Sequence, residues 1–157
     1  MMNVTQCLWF DRDMDAALRL YTSLIPGSSL DWNSALAADS PGGPAGSVRI
    51  AGFTLGGQRY MAFECGRPEG FTHASSILVE CDTQEEIDRL WERLGDGGQI
   101  EQCGWLRDRW GLAWQIQPKR LRELMDGPDR AAAKRVAEAM LQMVKLDIAA
   151  LEKAAKG

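Results

Sequence analysis

Histidine is nearly absent from this chain of 157 residues, occurring once, at His73. Any site that needs several imidazoles cannot be built within one chain. The four cysteines, Cys7, Cys65, Cys81 and Cys103, form no CxxC pair, which excludes zinc ribbons and thioredoxin-like redox motifs. No apolar run approaches the roughly 20 residues of a membrane span. Lys and Arg are dispersed and the net charge is −4, so the basic patch expected of a nucleic-acid binder is missing. A basic segment followed by an apolar one is lacking at the N-terminus, which argues against secretion and for a cytoplasmic location with reduced thiols. Cys7 and Cys81 sit in apolar runs and are expected to be buried.

What is present is a core and a repeat. Apolar residues make up 45% of the chain, enough for a sizeable interior. Arg19-Leu20-Tyr21-Thr22-Ser23-Leu24 returns seventy positions later as Arg89-Leu90-Trp91-Glu92-Arg93-Leu94. A short apolar run precedes each copy and a glycine-containing break follows each. Two copies are too few for a solenoid, so the duplication reads as two halves of one domain with a site between them.

The spacing predicts a strand over 3–10 and a helix from Met14 to Leu24, with Asp11-Arg12-Asp13 offering the cap and Pro26-Gly27 the stop. A second strand is expected over 28–36, then a loop around Ser40-Pro41-Gly42-Gly43-Pro44 that could act as a lid or be idle. Val48–Leu55 and Gln58–Cys65 flank Gly56-Gly57, which suits a type I′ hairpin. The second half repeats the order. A strand is expected over Ala74–Cys81, and a helix capped by Asp82 or Thr83 with an Ile87, Leu90, Trp91, Leu94 stripe. Strands over Gln99–Trp105 and Leu112–Gln117 follow, joined by the turn Asp108-Arg109-Trp110-Gly111. The fold class is therefore α+β, two βαβββ repeats with curved mixed sheets and outer helices, plus C-terminal helices. The expected organisation is a single domain over 1–157, with halves 3–66 and 72–118 and a helical extension 119–157. In that extension Pro128 suits a first helical position, Val136, Met140, Met143 and Val144 form a stripe, and Asp147 caps a last helix.

A doubled βαβββ unit resembles the vicinal oxygen chelate superfamily, which includes glyoxalase I, extradiol dioxygenases and the bleomycin and fosfomycin resistance proteins. Cys7-Leu8-Trp9-Phe10-Asp11 and the stretch from Cys103 to Pro118, with Trp105, Trp110 and Trp114, resemble the opening strand and closing hairpin of its PhnB-like branch. Members of that branch often carry the label 3-demethylubiquinone-9 3-methyltransferase. The glycine-rich loop that binds S-adenosylmethionine in most methyltransferases does not follow Phe10, so the label is not expected to describe the activity.

The resemblance also implies a divalent metal held by one residue from the first and last strand of each half. Carried over by register, those positions are Gln6, Ser76, Gln115 and either Ala62 or Glu64. Gln and Ser are poor ligands, which leaves Glu64 as the one weak metal candidate and no cofactor as the expectation. His73 is out of phase with Ser76 and is expected to be a surface or structural residue. The same positions can line an apolar cavity with convergent polar groups, where Gln6, Leu8, Arg49, Glu64, Ser76, Glu80 and Gln115 would meet a small organic ligand. Glu80 is the candidate perturbed carboxylate, otherwise a strand-end salt bridge, and Arg49 pairs with Glu64, holds an anion or is exposed. Trp9 and Trp91 are expected in the core, whereas Trp105, Trp110 and Trp114 either wall a site for a flat ligand or fill the core. Three functions stay open: a metal-free binding protein, a metal-dependent lyase, isomerase or transferase, and a structural dimer with a vestigial cavity. A homodimer is expected in each, partly to cover the C-terminal helix.

Overall fold

A computed structural model describes residues 1–66 and 69–157. The element order is β1 (Gln6–Phe10), α1 (Met14–Leu24), β2 (Ser29–Ala35), β3 (Arg49–Leu55) and β4 (Gln58–Glu64), then β5 (Ser76–Cys81), α2 (Gln84–Gly95), β6 (Gln99–Ile100), β7 (Trp105–Arg107) and β8 (Ala113–Pro118). Three helices close the chain: α3 (Lys119–Asp126), α4 (Arg130–Leu141) and α5 (Ile148–Lys156). The protein is α+β with two βαβββ repeats, as the alternation of periods predicts. The backbone forms two compact units, 1–70 and 71–157.

Each unit holds one four-stranded mixed sheet, ordered β1-β4-β3-β2 in the first and β5-β8-β7-β6 in the second. The opening strand of each repeat pairs in parallel with its last strand, and the remaining pairs are antiparallel. The β3–β4 hairpin turns on Gly56 and Gly57, whose φ of 54° and 85° fit the expected type I′ turn. In the first unit α1 buries Met14, Ala17, Leu18, Tyr21 and Leu24. Phe10 of β1 lies 6.4 Å from the Tyr21 ring, and Phe53 of β3 stacks on Tyr60 of β4. In the second unit α2 buries Ile87, Leu90 and Leu94, and Leu106, Trp114 and Ile116 are fully buried. Thr83 and Glu86 form a reciprocal capping box at the start of α2.

Three expectations are corrected. The strand expected over Gln99–Trp105 is split, because Cys103 and Gly104 take positive φ (58° and 81°) and turn the chain between β6 and β7. A side chain at Gly104 would press against the Ile116 carbonyl and Leu146. Pro128 stands outside α4, which is capped instead by Asp129 accepting from Ala131 and Ala132 N–H. Met143 and Val144 are not on a helical stripe. Their carbonyls accept from Cys103 and Gly104 N–H, which ties the α4–α5 connection to the β6–β7 turn. The C-terminal helices also cover their own apolar face. Leu121, Val136, Leu146 and Leu151 form a buried cluster packed by Met125, Met140 and Met143. Gln84 of α2 clamps this layer, donating to the Leu146 carbonyl and accepting from Ile148 N–H.

Candidate functional site

Each sheet has one face under its helix and one open face, and strand alternation decides which residues stand on which. In the first unit the helix face carries Leu8 and Phe10, paired across β4 with Ala62 and Glu64. Leu8 is core, at 4% exposure. Glu64 is also on this side, where Oε2 accepts from Met14 N–H at 2.6 Å and so holds the first turn of α1. Arg49 pairs with Glu64 in register, but its guanidinium reaches Asn33 at 2.8 Å and Asp15 at 3.5 Å. Glu64, Arg49 and Asp15, with Asp13, Met14, Ala16 and Arg19, line a shallow cavity of about 250 Å³ at the start of α1. Gln6, of the same parity as Leu8, stands on that side at the exposed end of β1. The open face of the first sheet is therefore carried by Cys7, Trp9, Met61 and Phe63.

That inverts the expected assignment, and the cause is one residue. Phe10, the last residue of β1, pairs with Glu64, and Cys81, the last of β5, pairs with Pro118. The strands thus correspond with an offset of seventy-one, whereas the helices, from Met14 and Gln84, correspond with an offset of seventy. The extra residue lies in Asp11-Arg12-Asp13 and is absorbed by Asp13 in the left-handed region (φ 54°). Since the period of a strand is two, a shift of one moves every side chain to the other face.

The first open face is apolar. Trp9 is 39% exposed rather than core, with its ring 5.1 Å from Phe63 and its Nε1 donating to the Cys65 carbonyl. Trp32 lies across Gly52, where any Cβ would collide with the indole. Cys7 is exposed, not buried, whereas Cys81 is buried as expected and its thiol is pushed up to about 11, chiefly by desolvation and then by Glu86 and Asp82.

The second open face is polar. Register places Ser76, Leu78 and Glu80 of β5 beside Ala113, Gln115 and Gln117 of β8, and Trp105 and Arg107 of β7 beside Gln115 and Ala113. Gln115 Nε2 donates to Ser76 Oγ at 2.9 Å, and Gln117 Nε2 donates to Gln115 Oε1 at 3.3 Å. Glu80 is exposed at the end of this row, opposite Gln117. At the Trp105 end, His73 Nε2 stands 2.6 Å from Glu101 Oε2, and Arg107 Nε donates to Glu101 Oε1 at 2.8 Å. The His73 and Trp105 rings are 5.7 Å apart. Burial is the largest single influence on Glu101 and raises its pKa, but the hydrogen bonds and charges of His73 and Arg107 together outweigh it and hold the carboxyl below its usual value.

The three hairpin tryptophans do not form one wall. Trp105 shares the open face with Gln115, whereas Trp114 is fully buried on the opposite face with Nε1 donating to Asp108 Oδ2 at 2.9 Å. Trp110 lies under the Arg109 guanidinium. Among the expected residues, Ser76, Gln115, Trp105 and Glu80 share the open face of the second sheet and Trp114 stands on its opposite face, whereas Gln6, Leu8, Arg49 and Glu64 stand on the helix side of the first sheet. Sequence reasoning missed Gln117, Arg107, Glu101 and His73. Alternation from Gln115 and Trp105 points to the first two, but no local signal pairs His73 with a carboxylate 28 residues away. No helix among the described residues is long and apolar enough to cross a membrane. Among those residues, no group of three His, Cys, Asp or Glu is placed to hold a metal ion.

A family model described as 3-demethylubiquinone-9 3-methyltransferase matches residues 2–117. Among solved structures, the PhnB protein from Bacillus cereus is 32% identical, with a TM-score of 0.66 over 74% of this chain and 99% of its own. PA1353 from Pseudomonas aeruginosa is 24% identical, with a TM-score of 0.57 over 75% of this chain and 98% of its own. The fosfomycin resistance protein FosX from Listeria monocytogenes shares the fold at 15% identity, with a TM-score of 0.55 over 78% of this chain and 94% of its own. No curated protein matches the chain. With both repeats, the opening strand and the closing hairpin inside the matched span, the chain belongs to the 3-demethylubiquinone-9 3-methyltransferase family, the PhnB-like branch of the vicinal oxygen chelate superfamily.

Proposed function

We propose that this protein binds a small, planar, partly aromatic molecule on the open face of its second sheet, without a divalent metal. The observation that carries the reading is the hydrogen-bonded row Ser76–Gln115–Gln117 lying beside the half-buried indole of Trp105. A flat apolar surface flanked by a few fixed amides and hydroxyls is how proteins orient small ligands. Gln115 and Gln117 each offer a donor and an acceptor, so they read hydroxyl and carbonyl groups at a ligand's edge.

The donors on the two open faces do not suit the metal of the superfamily. The first face supplies a thiol, a thioether and two aromatic rings, from Cys7, Met61, Trp9 and Phe63. The second supplies one exposed carboxylate, Glu80, with a hydroxyl and amides, and at its Trp105 end the His73–Glu101 pair, whose carboxylate is already engaged by Arg107; among the described residues no third His, Cys, Asp or Glu joins them to hold an ion. Hard divalent ions favour several carboxylate or imidazole ligands, and Glu64, the one earlier candidate, is committed to the α1 N-terminus. Nor does the methyltransferase of the family name find its glycine loop, since β1 runs through Asp11-Arg12-Asp13 directly into α1. The reading includes a homodimer that covers the apolar face of the first sheet, where Trp32 and Met61 are 46% and 36% exposed.

Native mass spectrometry of purified protein, before and after dialysis against a chelator, tests all three parts. The expected spectrum is a dimer without stoichiometric metal that carries a small organic adduct. A divalent ion retained at about one per chain overturns the metal-free reading, and a monomer overturns the pairing.

A further inference from the structure

His73 is the only histidine in the chain, and one of its ring nitrogens faces a carboxylate. Glu101 is held below its usual pKa despite the upward pull of burial, so at neutral pH it is ionised and only accepts. Arg107 Nε donates to one of its oxygens at 2.8 Å, and the Nε2 of His73 stands 2.6 Å from the other. Nε2 is therefore the nitrogen that donates to Glu101, and Nδ1 is the nitrogen turned away from it. Arg107 also donates to Gln99 on the neighbouring strand. Among the described residues, the charged groups facing the ring are Glu101 and, behind it, Arg107.

The ring is 49% exposed and borders the face that holds Trp105, Gln115 and Ser76. A carboxylate-oriented imidazole with an accessible acceptor nitrogen beside an aromatic platform is an arrangement for taking a proton. We propose that His73 is the proton-accepting residue of this face, and that its ligand is a planar molecule with an acidic hydroxyl, phenolic or enolic, lying against Trp105. The ligand's O–H bond breaks, an Nδ1–H bond forms, and the oxyanion remains paired with the imidazolium, whose charge Glu101 compensates. This rests on the binding reading above and adds to it the chemical class of the ligand.

Two measurements test it. In the free protein, long-range 15N correlation spectra of the single imidazole read the tautomer directly. Protonation at Nε2 is expected, and protonation at Nδ1 overturns the proposal whatever the ligand. The second uses 4-nitrophenol and its methyl ether, 4-nitroanisole, which has no proton to give. Wild type should bind 4-nitrophenol with the absorption band of the phenolate, at a pH where the free probe is largely neutral. His73→Gln should lose that band and bind it about tenfold or more weakly, the usual scale for a charge-assisted hydrogen bond. Both proteins should bind 4-nitroanisole equally. Equal affinity of wild type and His73→Gln for 4-nitrophenol overturns the proton-acceptor role while leaving the binding face standing. Failure of wild type to bind either probe overturns both.

Discussion

Asp108 is the buried side chain on which the second sheet's geometry depends, and removing half of its function has a calculable effect. It is 3% exposed and sits in the turn between β7 and β8. Oδ1 accepts from the N–H of Trp110 at 2.9 Å and of Leu112 at 3.1 Å, and Oδ2 accepts from Trp114 Nε1 at 2.9 Å. Asp108→Asn keeps the oxygen that serves the two backbone groups and puts an NH2 against the indole N–H, so two donors face each other in a dry interior. Leaving one buried donor without its partner costs about 1–3 kcal/mol. For a chain of this size that corresponds to a fall in Tm of about 2–10 °C. Asp108→Ala removes both acceptor oxygens, and with them these three hydrogen bonds, and should cost about 4 kcal/mol or more, in the range reserved for broken buried networks. The decisive assay is a double-mutant cycle with Trp114→Phe, read by urea denaturation with near-UV circular dichroism. In the Phe background the opposed donors are gone, so Asp108→Asn should cost at least about 1 kcal/mol less than in wild type. Effects that add to within about 0.5 kcal/mol refute the pairing of Asp108 with Trp114 as the source of the stability.

Two further predictions address the faces. Leu8→Ala should destabilise by about 2–5 kcal/mol, as core truncations do, while Cys7→Ala stays within about 0.5 kcal/mol; the reverse order in chemical denaturation would put the parity of β1 the other way round. Glu101 has a lowered folded pKa, so its stabilisation is complete above the ordinary carboxylate pKa and is lost as pH falls through the folded value. Glu101→Gln should therefore be less stable than wild type at neutral pH, with the gap closing in acid. A gap that stays constant with pH in paired denaturation curves would show that the carboxylate's charge is not what stabilises.

Most of the fold was legible because it is specified locally. The alternating runs, the Gly56-Gly57 turn, the Thr83 cap and the Asp147 cap each depend on residues within a few positions of one another, and all appear where the spacing puts them. The misreadings, and the points the spacing leaves open, have the opposite character. Whether Trp114 is wall or core depends on Asp108, whose carboxyl gives the indole N–H a buried partner. The break at Cys103 and Gly104 depends on the approach of Leu146, more than forty positions later. The C-terminal stripe looked as if it needed a partner because its cover, the packing of α3, α4 and α5 on one another, is tertiary.

The candidate site was half legible for a related reason. In the second repeat, alternation from Ser76 and Gln115 identified the open face correctly. In the first, copying that assignment by the seventy-residue offset failed, because the most similar segment, Arg-Leu-aromatic-x-x-Leu, lies in the helices and says nothing about the length of the connection before them. Once Asp13 is recognised as an inserted left-handed residue, the repeats align as Met61 with Gln115 and Phe63 with Gln117, by way of Gly57 and Gly111, each four residues before the first member of its pair. The two open faces then differ in kind at equivalent positions. Thioether and ring stand on one sheet where amides stand on the other, and Cys7 and Trp9 where the other has Leu78 and Glu80. The first sheet thus presents an apolar surface that favours burial against another flat surface, whereas the second presents directional hydrogen-bonding groups bordered by an imidazole–carboxylate pair. Apolar burial supplies affinity without orientation, and fixed amides supply orientation with little net affinity. The two kinds of contact stand on different sheets of this chain.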